Sequence, residues 1–154
     1  MPKMFNSILT EAGLNLADVR LLRHKDNRAI EGLSPYELWR DDRQAFDLYQ
    51  SVQSFRNRTR LNAPYWASFV ATLSDRNMFV GIYNVKYKGI LSRDTVIPSL
   101  NTIDKAGSCD EYDLSLDSKL SVHIGKLFID WGPGFKAWIQ RADRQNKKIL
   151  EIQK

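Results

Sequence analysis

Two apolar runs, Tyr65–Ala71 and Met78–Tyr87, flank the turn cluster Ser74-Asp75-Arg76-Asn77. Both are rich in aromatic and β-branched residues and have the length of strands, so the pair predicts a β-hairpin. Pro64 stops any helix ahead of the first run, and Lys88-Gly89 is expected to end the second. A hairpin is marginal alone, so the chain is committed to a larger sheet with something packed on it.

The remaining pattern supplies both. Asp18–His24 reads as a strand around the β-branched Val19. Lys126–Trp131 reads as another, with Leu127, Ile129 and Trp131 on one face and Phe128 on the other. Lys148–Ile152 reads as a closing strand, and Phe135–Ala142 fits either a strand or a short helix. Phe5–Ala12 predicts a short helix, with Asn6 or Ser7 near its start and Gly13 after its end. Ser34-Pro35-Tyr36-Glu37 is a capping box with Pro at the first helical position. One long helix is expected from there to about Phe55 or Asn57, with Leu38, Ala45, Leu48, Val52 and Phe55 on one face and Trp39, Phe46 and Tyr49 widening it. Its acidic start and the basic Arg56, Arg58 and Arg60 at its end complement the helix dipole. Ser92–Asp113 is irregular, and Leu114–Ile124 holds at most a helical turn closed by Gly125. These elements predict a single α+β domain over residues 1–154. One long helix packs on a curved, partly closed mixed or antiparallel sheet, a small barrel.

Charge is unevenly spread. The chain has 154 residues and a net charge of +5, with a pI near 9.4. Arg20, Arg23, Lys25 and Arg28 face only Asp26, and Arg56, Arg58 and Arg60 face no acid at all. From Lys136 to Lys154 there are six bases against Asp143 and Glu151, whereas Ile90–Val122 carries six acids against three bases. Clustered bases are the footprint of a phosphate-binding surface. Cys109 is the only cysteine, which excludes an intramolecular disulfide and a thiolate zinc site. No run approaches the ~18 apolar residues of a membrane helix, and Met1–Glu11 lacks signal-peptide features. A cytoplasmic chain with no membrane partner is expected.

Catalytic patterns are weak. Gly81-Ile82-Tyr83 spells the first half of a GIY-YIG nuclease motif, but the next tyrosine, Tyr87, follows too soon and a buried strand is the expected reading. His24 and His123 stand alone; His24 lies among bases, which suits a phosphate better than a metal. Cys109 lies among acids that oppose its thiolate. A Ser-His-Asp set is left open, although no nucleophile-elbow motif is present. Gly132-x-Gly134 is too short for a phosphate loop. No cofactor, metal or catalytic residue is assigned. A second reading, a small metal-dependent nuclease, would use Asp110, Glu111 or Asp113 with His123. A third, a protein-interaction module, would offer the aromatic face of the long helix to a partner.

Aromatic residues adjoin the bases. Tyr65-Trp66 follows the Arg56–Arg60 run, and Trp131 and Trp138 flank a glycine turn that opens into the basic C-terminal zone. Aromatic faces stack bases while Arg and Lys hold phosphates, and a basic-rimmed aromatic pocket suits a flipped base.

The chain also resembles the N-terminal region of bacterial proteins that carry a GIY-YIG nuclease domain further downstream. The resemblance runs through Leu22-Arg23-His24-Lys25, Tyr49-Gln50-Ser51-Val52-Gln53, Tyr65-Trp66-Ala67-Ser68-Phe69 and Met78-Phe79-Val80-Gly81-Ile82-Tyr83. It continues through Gly125–Trp131 and Trp138–Arg144. The Tyr-Trp strand and its neighbour are similar to PUA-like modules, which bind RNA or read modified DNA bases. The resemblance implies a recognition module whose nuclease chemistry belongs to a downstream or separate domain. The expectation is a non-catalytic nucleic-acid-binding domain of a restriction-type system, for DNA first and RNA second, that reads a modified or flipped base. Arg23, His24, Lys25, Arg56, Arg58, Arg60, Arg141 and Arg144 would contact phosphates or base edges, and Tyr65, Trp66 and Trp131 would stack.

Overall fold

The computed structural model describes residues 3–25, 33–72, 76–91, 109–132 and 138–152. Its elements run α1 (Phe5–Glu11), β1 (Val19–His24), α2 (Pro35–Asp41), α3 (Arg43–Ser51), β2 (Val52–Gln53), β3 (Tyr65–Ala71), β4 (Asn77–Leu91), β5 (Cys109–Leu116), β6 (Leu127–Asp130), β7 (Ile139–Arg141) and β8 (Lys148–Ile152). The class is α+β, and the mixed sheet curls into a half-barrel. β4 is its spine. β3 pairs antiparallel along one edge of β4. On the other edge β6 pairs with Asn77 and Met78, and β5 pairs with Tyr83–Leu91. β1 lies parallel to β3 and antiparallel to β7; β8 joins β6, and β2 joins β5.

A bulge in β4 explains how a run with no alternation feeds two cores. Phe69 pairs with Phe79 and Ser68 with Gly81, so Val80 is the extra residue. Inserting one residue reverses which face the following side chains occupy. Phe79 and Ile82 thus reach the same core although three positions apart. Gly81 sits at the step with φ +139°, a conformation that side chains disfavour.

Both faces of the sheet are covered. On one face α1 buries Phe5, Ile8 and Leu9 against Val19, Leu21, Ala67, Phe69, Phe79, Ile82, Leu127 and Ile129. The opposite face carries α2 and α3, whose Leu38 and Phe46 pack on Val70, Met78, Val80 and Phe128. Beside them the Phe55–Pro64 segment lowers Leu61 onto Leu22, Trp66, Tyr112 and Ile139. Each such side chain contributes about 1.5–3 kcal/mol on leaving water. As the sequence pattern requires, Leu127, Ile129 and Trp131 join the first core and Phe128 the second.

The expected long helix is corrected. Ser34 forms the capping box, its Oγ accepting from Glu37 N and Glu37 Oε1 accepting from Ser34 N. The helix then ends at Asp41. Asp42 adopts φ −149°, ψ 88°, and its carboxylate accepts from Ala45 N, capping a second helix. An aspartate gains more by capping than by continuing a helix. Val52 and Gln53 leave the helix altogether and pair with Glu111 and Asp110.

Two boundaries also move. β4 does not stop at Lys88-Gly89 but bulges there and continues to Leu91. Cys109–Asp113, expected to be irregular, are strand; residues 92–108 of that stretch, like 26–32, 73–75 and 133–137, lie outside the described residues. Leu114–Ile124 begins in β5 and then forms one 3-10 turn, Ser121–His123. The ambiguous Phe135–Ala142 stretch contains strand β7.

Candidate nucleic-acid interface

The Phe55–Pro64 segment rises from the sheet and is tied down from two sides. Trp66 Nε1 donates to Leu61 O at 3.1 Å from below. Arg20 reaches in laterally: Nε donates to Arg60 O at 3.1 Å, Nη1 to Ala17 O at 3.1 Å and Nη2 to Asn62 O at 3.4 Å. Between this segment and the outer halves of β4 and β5 lies a groove of about 520 Å³. Leu61, Val85 and Tyr112 give it apolar surface, and Arg58, Asn62 and Tyr87 give it polar groups.

A buried carboxylate fixes the groove wall. Asp110 is 0% exposed and accepts from Arg58 Nε at 3.0 Å, Arg58 Nη2 at 2.7 Å and Tyr87 OH at 2.9 Å. A bidentate arginine is the strongest partner for a carboxylate out of water. The hydrogen bonds that Arg58 donates to Asp110 raise the Arg58 pKa, and the same carboxylate, accepting from Tyr87, raises that of the phenol. Burial first, then the Asp110 charge, pushes Tyr112 up to about 12. Arg58 therefore stays charged and both phenols stay neutral at any physiological pH. Tyr112 meets Tyr87 at 5.5 Å and 69°, and Trp66 at 4.9 Å and 62°, both edge to face. The Arg58 guanidinium covers the Phe55 ring at 4.7 Å.

No family model, curated protein or solved structure matches this chain. What the site does must therefore be argued from its own geometry.

The expected bases divide between the two faces. Arg56, Arg58 and Arg60 are exposed along the groove segment. Arg141 pairs across the sheet with Arg20 and is held bidentately by Asp143 at 2.9 and 2.8 Å; Arg144 is exposed nearby. Arg23 does not join them. Strand alternation turns it to the α1 face, where it lies half-buried 5.3 Å over the Trp131 ring. Lys25 is exposed at the end of β1.

The expected stacking residues are corrected. Trp66 is 0% and Trp131 2% exposed, so neither indole offers a face to a ligand. Trp66 points inward because its strand neighbours Tyr65 and Ala67 occupy the opposite face; Tyr65 itself is half-buried against the α1 core. The exposed ring on the groove wall is Tyr87, braced by Tyr112, which is itself buried. Their only sequence signal was the pairing of β4 and β5, which places Tyr87 directly opposite Tyr112. That pairing was not legible while Cys109–Asp113 read as irregular.

His24 is also corrected. It is buried, with its ring against Phe46 and Tyr49, and burial lowers its pKa to about 4, so it is uncharged and out of reach of phosphate. Its Nε2 lies 3.0 Å from Gln50 Oε1, within hydrogen-bond distance. Ser68 Oγ donates to the same Gln50 oxygen. Asp47 instead accepts from Tyr83 OH at 2.8 Å. Ser68, His24 and Asp47 are thus neighbours of two different groups and form no relay.

The alternative readings lose their geometry too. Alternation along β5 sends Asp110 to the groove side and Glu111 and Asp113 to the other, and Asp110 is occupied by Arg58. His123 lies apart in its 3-10 turn. Among the described residues no three His, Cys, Asp or Glu side chains gather to hold a metal. The aromatic face of the helical stretch is turned inward: Phe46 is buried, and Trp39 and Tyr49 pack on the same core. No described helix is long and apolar enough to cross a membrane.

Proposed function

We propose that this chain is a nucleic-acid recognition domain whose contact surface is the Arg56–Arg60 rim of the groove, without catalytic chemistry of its own. One observation carries the reading: Arg56 and Arg60 are exposed, have no acidic partner among the described residues, and belong to the segment that walls a groove also lined by the half-exposed Tyr87 ring. Unpaired cations beside aromatic surface provide phosphate attraction and stacking in one place. Arg58 has a different task, since its charge is already matched by Asp110; it positions the wall. Arg144 is a further exposed cation, whereas Lys86 lies on the other face of β4, opposite Asp113. DNA in the cytoplasm is the first expected partner, RNA the second, with any nuclease activity supplied by another domain or chain, as the resemblance to GIY-YIG-associated regions implies.

The test is titration of labelled oligonucleotides at several salt concentrations. Two phosphate contacts on a single strand predict a log–log slope of about −1.4. Arg56→Glu and Arg60→Glu should each weaken binding and flatten that slope. Binding that ignores both salt and these substitutions overturns the reading.

A further inference from the structure

We infer that the groove seats one unpaired nucleobase of a single strand, laid on the Tyr87 ring, with the adjoining phosphates on Arg56 and Arg60. The inference rests on the nucleic-acid reading above and narrows it to a strand state and a seat.

The groove has the size of a small-ligand site, about 520 Å³, within the usual range of about 300–1,000 Å³. Tyr87 is 50% exposed, an unusual state for a large ring, yet it is not loose. Its hydroxyl is bonded to Asp110, and Tyr112 braces it edge to face. Asp110 is in turn clamped by Arg58. The ring is thus ordered before any ligand arrives, which removes an ordering cost from binding. Across the groove, the side-chain amide of Asn62 is exposed and makes no hydrogen bond among the described residues. Its backbone is held by Arg20, so the amide is presented from a fixed point. One donor and one acceptor on a planar group match the edge of a base, as one open ring matches its face.

A paired base offers neither. Its faces are covered by its neighbours and its pairing edge is occupied, so a recessed ring reaches only a base that is unpaired. The seat therefore predicts preference for a single strand over a duplex of the same sequence. The two unpaired arginines supply the part of the affinity that strand state does not alter.

The experiment is fluorescence anisotropy with labelled deoxythymidine and uridine single strands of about ten nucleotides, within the site sizes of single-strand binders, and with a duplex. Wild type should favour the single strands, and the two sugars distinguish DNA from RNA as the source. Tyr87→Ala should weaken single-strand binding by about 5- to 150-fold, the range for loss of one base–aromatic stack, and leave duplex binding unchanged. Tyr87→Phe, which keeps the ring, should retain single-strand binding. A strand carrying 2-aminopurine tests the seat in wild type without relying on the fold of a variant: its emission should change as the base leaves its neighbours for Tyr87. Unchanged emission at saturation, or Tyr87→Ala titrating like wild type, overturns the seat. If Arg60→Glu still weakens binding in that case, the nucleic-acid reading survives. If wild type binds no oligonucleotide at low salt, that reading falls and the seat with it.

Discussion

Arg58 and Asp110, 52 positions apart in sequence, are locked together by two hydrogen bonds of 3.0 and 2.7 Å, with the carboxylate buried and the guanidinium half in water. The pair fastens the Phe55–Pro64 segment to β5 and holds the groove open. It also shows what part of the acidic middle of the chain is for: Asp110 matches Arg58, Glu111 reaches Lys88 at 3.7 Å, and Asp113 stands opposite Lys86 in register.

Removing one partner of this pair should cost more than removing both. Arg58→Met leaves the Asp110 charge buried, with the Tyr87 hydroxyl still donating to it. The midpoint of urea unfolding should fall. Arg58→Met combined with Asp110→Asn should recover part of that loss, because no buried charge is left unmatched. Equal or greater loss in the double variant would show that the pair is worth more as an attraction than its burial costs.

Trp66 should behave as a core residue, not a ligand contact. Trp66→Ala removes a fully buried indole and its bond to Leu61 O, with an expected loss of about 3–5 kcal/mol in equilibrium unfolding. Trp66→Phe should lose less and keep oligonucleotide affinity. A folded Trp66→Phe protein with lost affinity would return the indole to the binding surface.

The strands and the capping box were legible because they are local. Tyr65–Ala71, Val19–His24 and Leu127–Asp130 declare themselves by residue type, and Ser34 and Glu37 by their spacing. The break at Asp42 was not, because the apolar stripe continues past it on a helical period and only the capping bond reveals the turn. The site was less legible still. Adjacency in sequence joined Trp66 to Arg60, whereas strand alternation buries Trp66 and Arg60 lies exposed in the turn ahead of β3. The partners that matter, Tyr87, Tyr112 and Asp110, meet through the register of two strands whose connection lies outside the described residues.

Asp42 offers a direct test of the helix break. As the N-cap of α3, its replacement by Ala should destabilise the fold by about 1 kcal/mol. In the middle of one continuous helix the same change would stabilise it, since Ala is the best helix former. Thermal or urea unfolding of Asp42→Ala gives the sign. Ser34→Ala, at a cap with both reciprocal bonds present, should lose a similar amount and serves as the reference.

Gly81 carries the bulge that lets β4 serve two cores. A Cβ there would need a disfavoured φ of +139° and would press on Leu116 Cδ1. Gly81→Ala should therefore lose about 1–3 kcal/mol, the usual cost of a residue held in a sparse backbone region. The loss should appear as a lower denaturation midpoint with an unchanged m-value, because the strain lies in the native state alone. An Ala variant as stable as wild type would mean that the bulge relocates along β4.

The sharpest pH test falls on His24. Burial lowers its pKa from 6.5 to about 4, with the bond to Gln50 opposing that shift. A base with a depressed native pKa takes up its proton in the unfolded chain first. Stability is therefore retained above pH 6.5 and lost as pH falls from 6.5 towards 4, by about 3 kcal/mol over the whole window. Asp47, a residue of α3 that accepts from Tyr83 OH, acts in the opposite sense: burial raises its pKa, so it resists ionisation in the fold and favours the folded state as pH drops. Its contribution opposes that of His24 and is common to wild type and the His24 variant, so it cancels in their comparison. His24→Gln keeps a polar group at the site but has nothing to titrate. Between pH 7 and 5 its urea midpoint should fall less than that of wild type. Parallel curves for the two proteins over that interval would show that His24 is protonated in the fold as readily as in the unfolded chain, and that the Gln50 site is open to water.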